Sequence, residues 1–129
     1  MTYDKLIEKA YEAMEYAYAP YSNFKVGAAL LTESGLVFTG CNVEIASFGA
    51  TNCAERTAIF KAISEGEKSF KAIAVVSSSR DFTYPCGICR QVIVEFAKNI
   101  DIIVAKGYDY EVYKIETLLP KSFTQIDIK

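Results

Sequence analysis

Residues 83–90 read Thr-Tyr-Pro-Cys-Gly-Ile-Cys-Arg and combine a proline, two cysteines and the beginning of a helical pattern. Cys86 and Cys89 are three positions apart, so both thiols can face the same side of the first turn of a helix. The free N–H groups and the dipole of a helix start favour anionic sulfur, which is the form that binds metal. The pair therefore supplies half of a zinc site, although the same spacing also suits a dithiol redox switch.

A third cysteine lies upstream, in the sequence Thr-Asn-Cys-Ala-Glu-Arg at residues 51–56. Cys53 stands where another helix is predicted to begin, and Glu55 follows it by two positions. Three protein ligands leave one position of a tetrahedral zinc open for water, which is the arrangement of a catalytic rather than a structural zinc. The sequence therefore predicts a catalytic zinc site formed by Cys53, Cys86 and Cys89, with Glu55 aimed at the open position.

Composition places the chain among ordinary globular proteins. Its 129 residues are 51% hydrophobic and 23% charged, which is enough apolar material for one domain with a core. The chain contains no apolar run of bilayer length, and its first residues lack the charged-then-apolar order of a signal peptide. We therefore expect a cytoplasmic protein with no membrane partner, whose four cysteines are thiols or metal ligands rather than disulfides.

Charge and the absence of histidine limit the possible partners, zinc ligands and acid–base groups. The chain has 14 basic and 16 acidic residues, a net charge of −2, and no run rich in Lys and Arg that could follow a phosphate backbone. Nucleic acid is therefore not an expected partner. Because the chain has no histidine, its zinc ligands must be Cys or carboxylate, and acid–base work at neutral pH falls to Glu, Asp, Lys, Tyr or bound water.

Hydrophobic periodicity predicts a mixed α/β fold. The predicted strands cover residues 25–32, 36–39, 72–76, 102–105 and 110–114. The predicted helices cover residues 3–18, 52–65 and 116–119, and a further helix runs from the cysteine pair to residue 98. The first two strands form an antiparallel hairpin, and the order of the elements fits a mixed sheet of about five strands in a three-layer α/β/α fold. In this fold the helices carrying Cys53 and the cysteine pair begin at the same edge of the sheet.

Three alternatives remain open at this point. Cys41 could complete a structural site with four cysteine ligands, although a lone cysteine at a strand end is more often a small buried residue. Glu55 could be a solvated helix carboxylate, as most helix glutamates are. Arg90 fits a surface charge as well as a functional role, whereas Arg56, one helical turn after Cys53, is better explained by a hydrogen bond to a thiolate.

The sequence Cys-Ala-Glu at residues 53–55, followed by Pro-Cys-x-x-Cys at 85–89, resembles the zinc-dependent nucleoside and nucleobase deaminases. Further segments resemble the cytidine deaminases in particular; they are Ala-Pro-Tyr-Ser-Asn-Phe-Lys-Val-Gly-Ala at 19–28, Gly-Cys-Asn-Val-Glu at 40–44, Arg-Thr-Ala at 56–58, Arg-Gln at 90–91 and Glu-Thr-Leu-Leu-Pro at 116–120. The match covers almost the whole chain and is similar to the short, homotetrameric type with three cysteine ligands. We therefore expect residues 1–129 to form a single cytidine deaminase domain.

The resemblance implies hydrolytic deamination of cytidine and deoxycytidine to uridine and deoxyuridine, with release of ammonia, in pyrimidine salvage. Cys53, Cys86 and Cys89 would bind Zn²⁺, with Glu55 as the proton shuttle and Arg56 beside the thiolates. The implied substrate contacts are Phe24 stacked on the pyrimidine, Asn42 and Glu44 on the ribose 3′-hydroxyl, the Ala54 N–H on the base carbonyl oxygen, and Phe123 reaching in from a neighbouring subunit.

Two positions depart from the pattern of that family. Ile45 and Phe48 stand where cytidine deaminases usually have Asn and Tyr, which removes an amide and a hydroxyl from the sugar-binding loop. Two other functions are alternatives to deamination of cytidine. A zinc-stabilised binding module would need neither Glu55 nor an open zinc position, and a deaminase of another aminopyrimidine, such as blasticidin S, would not need the ribose-binding pair Asn42 and Glu44.

Overall fold

A computed structural model describes residues 1–79 and 81–128 of the chain. The helices are α1 (Tyr3–Met14), α2 (Ala54–Ser64), α3 (Gly87–Phe96) and α4 (Ile115–Leu118), and the strands are β1 (Val26–Thr32), β2 (Val37–Cys41), β3 (Phe70–Ser77), β4 (Asp101–Lys106) and β5 (Asp109–Lys114). Two short 3₁₀ turns cover Phe48–Ala50 and Gln125–Asp127. Every strand and helix that the sequence predicts is present, with ends that differ by a few residues.

The five strands form one mixed sheet in the order β2-β1-β3-β4-β5. β1 pairs antiparallel with both β2 and β3, β3 pairs parallel with β4, and β4 pairs antiparallel with the edge strand β5. The opening antiparallel hairpin and the mixed sheet are therefore confirmed. β2 and β3 run in the same direction because each is antiparallel to β1, so the chain leaves both strands at the same edge of the sheet.

Helices cover both faces of the sheet. α1 packs Leu6, Ile7 and Ala10 onto one face, and α2 and α3 cover the other through residues such as Ile59 and Ile93. Two glycines, one on each face of the sheet, allow α1 and α2 to approach the strands closely. A Cβ on Gly27 would lie 2.0 Å from the Ala10 carbonyl oxygen, and one on Gly40 would lie 2.4 Å from that of Ala54. The predicted three-layer α/β/α fold is confirmed.

The first helix is shorter than its apolar pattern predicts. It ends at Met14 rather than at Tyr18. The Tyr18 N–H donates to the Asn42 carbonyl oxygen at 2.9 Å, and the Tyr18 carbonyl oxygen accepts from the Glu44 N–H at 2.8 Å. The backbone of Tyr18 is therefore used in a bridge to the segment after β2, which a helical conformation would not permit.

The two loops that leave the sheet at this edge lead directly into α2 and α3. Residues 42–53 connect β2 to α2, and residues 78–86 connect β3 to α3. Cys53 and Cys86 are the capping residues at the beginning of these two helices. The fold therefore brings two helix N-termini, each with a cysteine, to one edge of the sheet. None of the helices described for residues 1–79 and 81–128 is long and apolar enough to cross a membrane.

Candidate active site

Three cysteines form a compact cluster where α2 and α3 begin. The sulfur atoms of Cys53, Cys86 and Cys89 all lie within 4.8 Å of one another, and Cys53 Sγ lies 3.9 Å from Cys86 Sγ. Zinc–sulfur bonds of about 2.3 Å at a tetrahedral angle place two sulfurs about 3.8 Å apart. The number, type and spacing of these donors fit Zn²⁺ with one coordination position left for another ligand.

Helix geometry leaves the thiols of the two capping cysteines available. Both Cys53 and Cys86 have extended backbone angles, and neither uses its side chain to cap its own helix. The helices are held instead through backbone carbonyls, because Cys53 O accepts from the Thr57 N–H at 3.0 Å and Cys86 O accepts from the Arg90 N–H at 2.9 Å. Cys89, fully buried in the first turn of α3, supplies the third sulfur.

Arg56 makes the hydrogen bond to a cysteine that its position predicts. Its Nη2 donates to Cys53 Sγ at 3.2 Å. Hydrogen bonds from the Cys89 thiol and from Arg56 lower the pKa of Cys53 to about 5. The pKa of Cys89 is raised because its thiol donates to Cys53 and because it is buried. These contacts therefore favour the thiolate form of Cys53, which is the form that binds metal.

Cys41 is not part of the cluster. It lies half-buried at the end of β2, beside a separate cavity of about 190 Å³ that Tyr16 and Lys61 also line. Burial raises the pKa of its thiol. The described residues therefore give no support to a structural site with four cysteines, and Cys41 is the small, partly buried residue that its strand position favours.

Glu55 is buried rather than solvated. Only 4% of the residue is exposed, although it lies in the first turn of α2. Burial raises the pKa of its carboxyl to about 7, against the lowering effect of its own backbone N–H. A carboxyl with such a pKa can both accept and release a proton near neutral pH, and the alternative of a solvated helix glutamate does not hold.

A cavity of about 330 Å³ opens beside the cysteine cluster. Its walls include five residues that the sequence analysis associates with substrate or proton transfer, namely Phe24, Asn42, Glu44, Ala54 and Glu55. Cys53 and Cys86 line the same cavity. Its volume is in the range of small-molecule sites. Thr83 and Tyr84 also line it. Neither was predicted as a site residue from the sequence, although both directly precede the Pro-Cys motif.

Asn42 already has structural partners. Its Oδ1 accepts from the Val26 N–H at 2.9 Å, and its Nδ2 donates to the Phe24 carbonyl oxygen at 2.8 Å. These bonds fix the backbone on both sides of Lys25 and thereby place the Phe24 ring at the cavity. One amide hydrogen and one lone pair of Asn42 remain for a ligand.

Glu44 is held by the loop opposite. Its carboxylate accepts from the N–H groups of Tyr21 and Ser22 at 3.1 and 3.0 Å and from the Ser22 hydroxyl. The hydrogen bond from the Ser22 side chain, followed by those from the two backbone N–H groups, lowers the pKa of Glu44. The cavity therefore presents an ionised carboxylate that can accept a hydrogen bond from a hydroxyl group.

Phe123 and Phe48 lie at the surface of this chain, whereas Arg90 is partly buried. Phe123 is 59% exposed, and its backbone pairs with the Gln91 side-chain amide, with distances of 2.7 Å from Gln91 Nε2 to Phe123 O and 3.3 Å from Phe123 N to Gln91 Oε1. Phe48 is 74% exposed, and its ring lies 6.0 Å from that of Tyr21. Arg90 is not a free surface charge, because it donates to the carbonyl oxygens of Pro85 and Leu118.

Comparisons with known proteins identify the family. The model of the cytidine and deoxycytidylate deaminase zinc-binding region matches residues 1–106. A cytidine deaminase of Sporosarcina psychrophila is 48% identical over an alignment of 131 residues, which covers 99% of this chain and 96% of that protein. A probable cytidine deaminase of Dictyostelium discoideum is 50% identical and covers 97% of this chain and 86% of that protein.

Solved structures agree with the sequence comparisons. The crystal structure of cytidine deaminase from Burkholderia pseudomallei superposes with a TM-score of 0.91 at 50% identity, covering 95% of this chain and 100% of that chain. Three findings support the same family: the shared fold, the identity over nearly the whole length, and the three clustered cysteines beside a buried glutamate. The chain belongs to the cytidine deaminase family, whose members carry this zinc-binding region.

Proposed function

We propose that the protein catalyses the zinc-dependent hydrolytic deamination of cytidine and deoxycytidine to uridine and deoxyuridine, with release of ammonia. The observation that carries this proposal is the buried Glu55, which lines the same cavity as Cys53 and Cys86 and has a pKa of about 7. A zinc-stabilised binding module has no need for a desolvated carboxylate at this place, because burying a carboxyl opposes its ionisation.

Cys53, Cys86 and Cys89 hold the metal in the proposed site. When bound, Zn²⁺ supplies a Lewis acid that lowers the pKa of a water molecule. Three thiolates and one Zn²⁺ carry a formal charge of −1, which weakens that acidity. The guanidinium of Arg56, donating to Cys53 Sγ at 3.2 Å, and the two helix N-termini offset part of the negative charge.

Glu55 moves the protons of the reaction. Its carboxylate takes a proton from the attacking water as the oxygen forms a bond to C4 of cytosine. The protonated carboxyl then gives that proton to N3, which receives the electron pair of the C4–N3 double bond. A second proton moves from the added hydroxyl through Glu55 to the amino group, the C4–N bond breaks, and ammonia leaves as the C4 carbonyl forms.

The cavity binds the nucleoside through residues with distinct tasks. Phe24 stacks on the pyrimidine, while Asn42 and Glu44 hydrogen-bond the ribose 3′-hydroxyl. The Ala54 N–H contacts the base carbonyl oxygen; it belongs to the first turn of α2, where N–H groups have no acceptor within the helix. The ionised state of Glu44 and the spare amide hydrogen of Asn42 support their roles.

The proposed assembly is a homotetramer of a single domain that spans residues 1–129 and works in the cytoplasm in pyrimidine salvage, on free nucleosides rather than nucleic acid. Phe123 enters the site of a neighbouring subunit in this assembly. Its ring is exposed on this chain although its backbone is fixed by Gln91, which supports a role outside its own subunit.

One experiment tests the proposal directly. Purified protein is analysed for zinc, and the fall in cytidine absorbance is followed together with the appearance of uridine and ammonia. We expect about one zinc per chain, turnover of both nucleosides, and loss of turnover when a chelator removes the metal. Active protein with less than about one zinc per two chains would contradict the assignment, as would zinc-loaded protein that leaves both nucleosides unchanged.

A further inference from the structure

In the loop that leads into α3, Thr83 and Tyr84 each make a hydrogen bond to a residue of the sheet. Thr83 Oγ1 lies 2.5 Å from Ser77 Oγ at the end of β3. Tyr84 Oη donates to Glu111 Oε1 on the edge strand β5 at 3.1 Å, a contact between residues 27 positions apart. The second tie fixes the residue that directly precedes the Pro-Cys motif.

Glu111 joins two tyrosine hydroxyls. Tyr113 Oη donates to the same carboxylate oxygen at 2.9 Å, and the rings of Tyr84 and Tyr113 meet edge to face, with centroids 5.9 Å apart and planes at 67°. Glu111 and Tyr113 are alternate residues of β5, so their side chains leave the strand on the same face. Together, the carboxylate and the Tyr113 ring fix both the hydroxyl end and the orientation of the Tyr84 ring.

Tyr84 also forms part of the wall of the cavity beside the cysteine cluster, together with Phe24 and Glu55. Because its hydroxyl is bound to Glu111, the ring rather than the hydroxyl is the part of this side chain that a ligand can contact. The residue is 44% exposed, so without its anchor the ring would be ordered only when substrate binds. Ordering a side chain at the moment of binding costs affinity, and an anchored ring avoids that cost.

We infer that Tyr84 is a substrate-contacting residue whose ring forms, with Phe24, a second aromatic wall of the nucleoside site, and that Glu111 and Tyr113 are positioning residues that hold it from β5. The inference rests on the proposed function. It assigns a role in substrate affinity to an edge strand that contributes no residue to the cavity wall.

The test measures kcat and KM for cytidine, the Ki of the product uridine, and zinc content for Tyr84→Ala, Tyr84→Phe, Glu111→Ala and the double variant Tyr84→Phe/Glu111→Ala. Loss of the ring in Tyr84→Ala is expected to raise KM and Ki at least about fivefold, the lower limit for stacking of a base on an aromatic side chain. Tyr84→Phe removes the hydrogen bond between Tyr84 and Glu111, and Glu111→Ala removes that bond together with the one from Tyr113. Each variant is expected to raise KM and Ki about two- to tenfold. kcat and zinc content stay close to wild type in all four.

The double variant distinguishes positioning from a general effect on the fold. Tyr84→Phe and Glu111→Ala remove the same link, so their combination is expected to be no worse than the more affected single variant. Glu111→Gln retains an acceptor oxygen and is expected to restore most of the affinity. Asp109→Asn is the matched control, because it removes a carboxylate from the same exposed strand away from Tyr84, and it is expected to match wild type.

Several results would overturn the inference. KM and Ki within twofold of wild type for Tyr84→Ala would exclude the ring from the substrate site. Additive effects in the double variant would show that Glu111 does not act through Tyr84. Loss of zinc from Glu111→Ala would assign the tie to metal retention instead. Zinc-loaded wild-type protein that does not turn over cytidine would refute the proposed function itself, whereas an active wild type with unaffected variants refutes only this inference.

Discussion

Arg56 Nη2 lies 3.2 Å from Cys53 Sγ, across the first turn of α2. The guanidinium therefore partners the sulfur that begins the same helix. Its Nε is a buried nitrogen with no partner among the described residues. Placing this side chain beside the thiolate therefore costs desolvation free energy. A position of this kind is explained by the excess negative charge of a cluster of three thiolates.

The first prediction follows from this pair. Arg56→Gln keeps a hydrogen-bond donor near Cys53 Sγ but removes the positive charge, and partners of metal ligands typically account for about 10- to 100-fold in metal affinity. We expect zinc affinity, measured by competition with a chelator at fixed pH, to fall within that range. Lys61→Gln removes a charge from an exposed position of the same helix and should have no effect. Equal zinc affinity in Arg56→Gln and wild type would contradict the role.

The second prediction separates two residues that share a proposed contact. Glu44→Ala removes a partner of the ribose and should raise KM for cytidine about 5- to 100-fold, with zinc content unchanged. Glu44→Ala also frees the N–H groups of Tyr21 and Ser22, but these are exposed, so water can replace the carboxylate. Asn42→Ala should raise KM similarly, but it leaves the part-buried Val26 N–H and Phe24 carbonyl oxygen without their partner. It should therefore lower the free energy of unfolding by about 1–3 kcal/mol, measured by urea denaturation. Glu33→Ala, in the exposed β1–β2 turn, is the control; unchanged kcat/KM in both test variants would exclude ribose binding by either residue.

The sequence predicts most of the fold because its local patterns agree with the tertiary contacts. The small residues of β1, for example, are apolar on both sides of the strand, and the strand is buried between α1 on one face and α2 on the other. The predicted end of α1 is wrong because there the local pattern disagrees with a tertiary contact. The apolar spacing continues to Tyr18, but the Tyr18 backbone pairs with Asn42 and Glu44, and no local pattern records a partner that far away.

The same distinction holds in the candidate site. The clustering of Cys53, Cys86 and Cys89 could be predicted because two helix starts at one sheet edge must bring their first residues together. The link from Tyr84 to Glu111 could not be predicted. It joins a loop to an edge strand, and the strand pattern of residues 110–114 does not specify which loop lies beside it.

The third prediction concerns assembly. If Phe123 completes the site of a neighbouring subunit, Phe123→Ala should reduce kcat/KM for cytidine at least about fivefold, the lower limit for loss of an aromatic contact to a base. Zinc content and melting temperature should be retained, because the ring is exposed on its own chain. Ile126→Ala removes another exposed apolar side chain of the C-terminal segment and serves as the control. Full activity of Phe123→Ala, or of a monomer cut before Lys121, would argue against a shared site.

The fourth prediction concerns the pH dependence of stability. Asp101 accepts hydrogen bonds from Lys114 and Tyr3, and these partners, with Lys114 the stronger, lower its pKa in the folded protein. A group whose folded pKa is depressed stabilises the protein fully above its unfolded pKa, about 3.9, and the contribution disappears as the pH falls through the folded value. Asp101→Asn should therefore cost on the order of 1 kcal/mol at pH 7, a small value because Lys114 is half exposed.

Urea denaturation of metal-free wild type and variant at several pH values tests this expectation. The difference in unfolding free energy should shrink below about pH 4 and vanish once Asp101 is protonated in both states. Asp109→Asn, at the other end of the β4–β5 hairpin, should show no such trend. A difference between Asp101→Asn and wild type that persists unchanged at low pH would mean that packing, and not charge, explains the effect.

The last prediction tests Glu55. Glu55→Gln keeps the shape and the hydrogen-bonding capacity of the side chain but cannot carry a proton at neutral pH. General acid–base groups typically contribute about 10²- to 10⁴-fold, and Glu55 serves several proton transfers in one cycle, so we expect a loss of kcat at or above the upper end of that range. Binding of zinc and of uridine should survive, because neither the thiols nor the aromatic and ribose contacts are changed.

We also expect Glu55→Gln to leave the stability of the fold unchanged. Burial disfavours the ionised form of Glu55, as its raised pKa indicates, so a neutral amide in its place removes a desolvation cost instead of adding one. The measurement is kcat beside zinc content and melting temperature on one preparation, with Glu65→Gln at the exposed end of α2 as the control for the same chemical change. A variant at Glu55 that keeps its zinc and deaminates cytidine within about tenfold of wild type would remove this carboxyl from the mechanism, because that loss is smaller than proton transfer by a positioned group accounts for. An unfolded or metal-free variant would instead assign Glu55 a structural role.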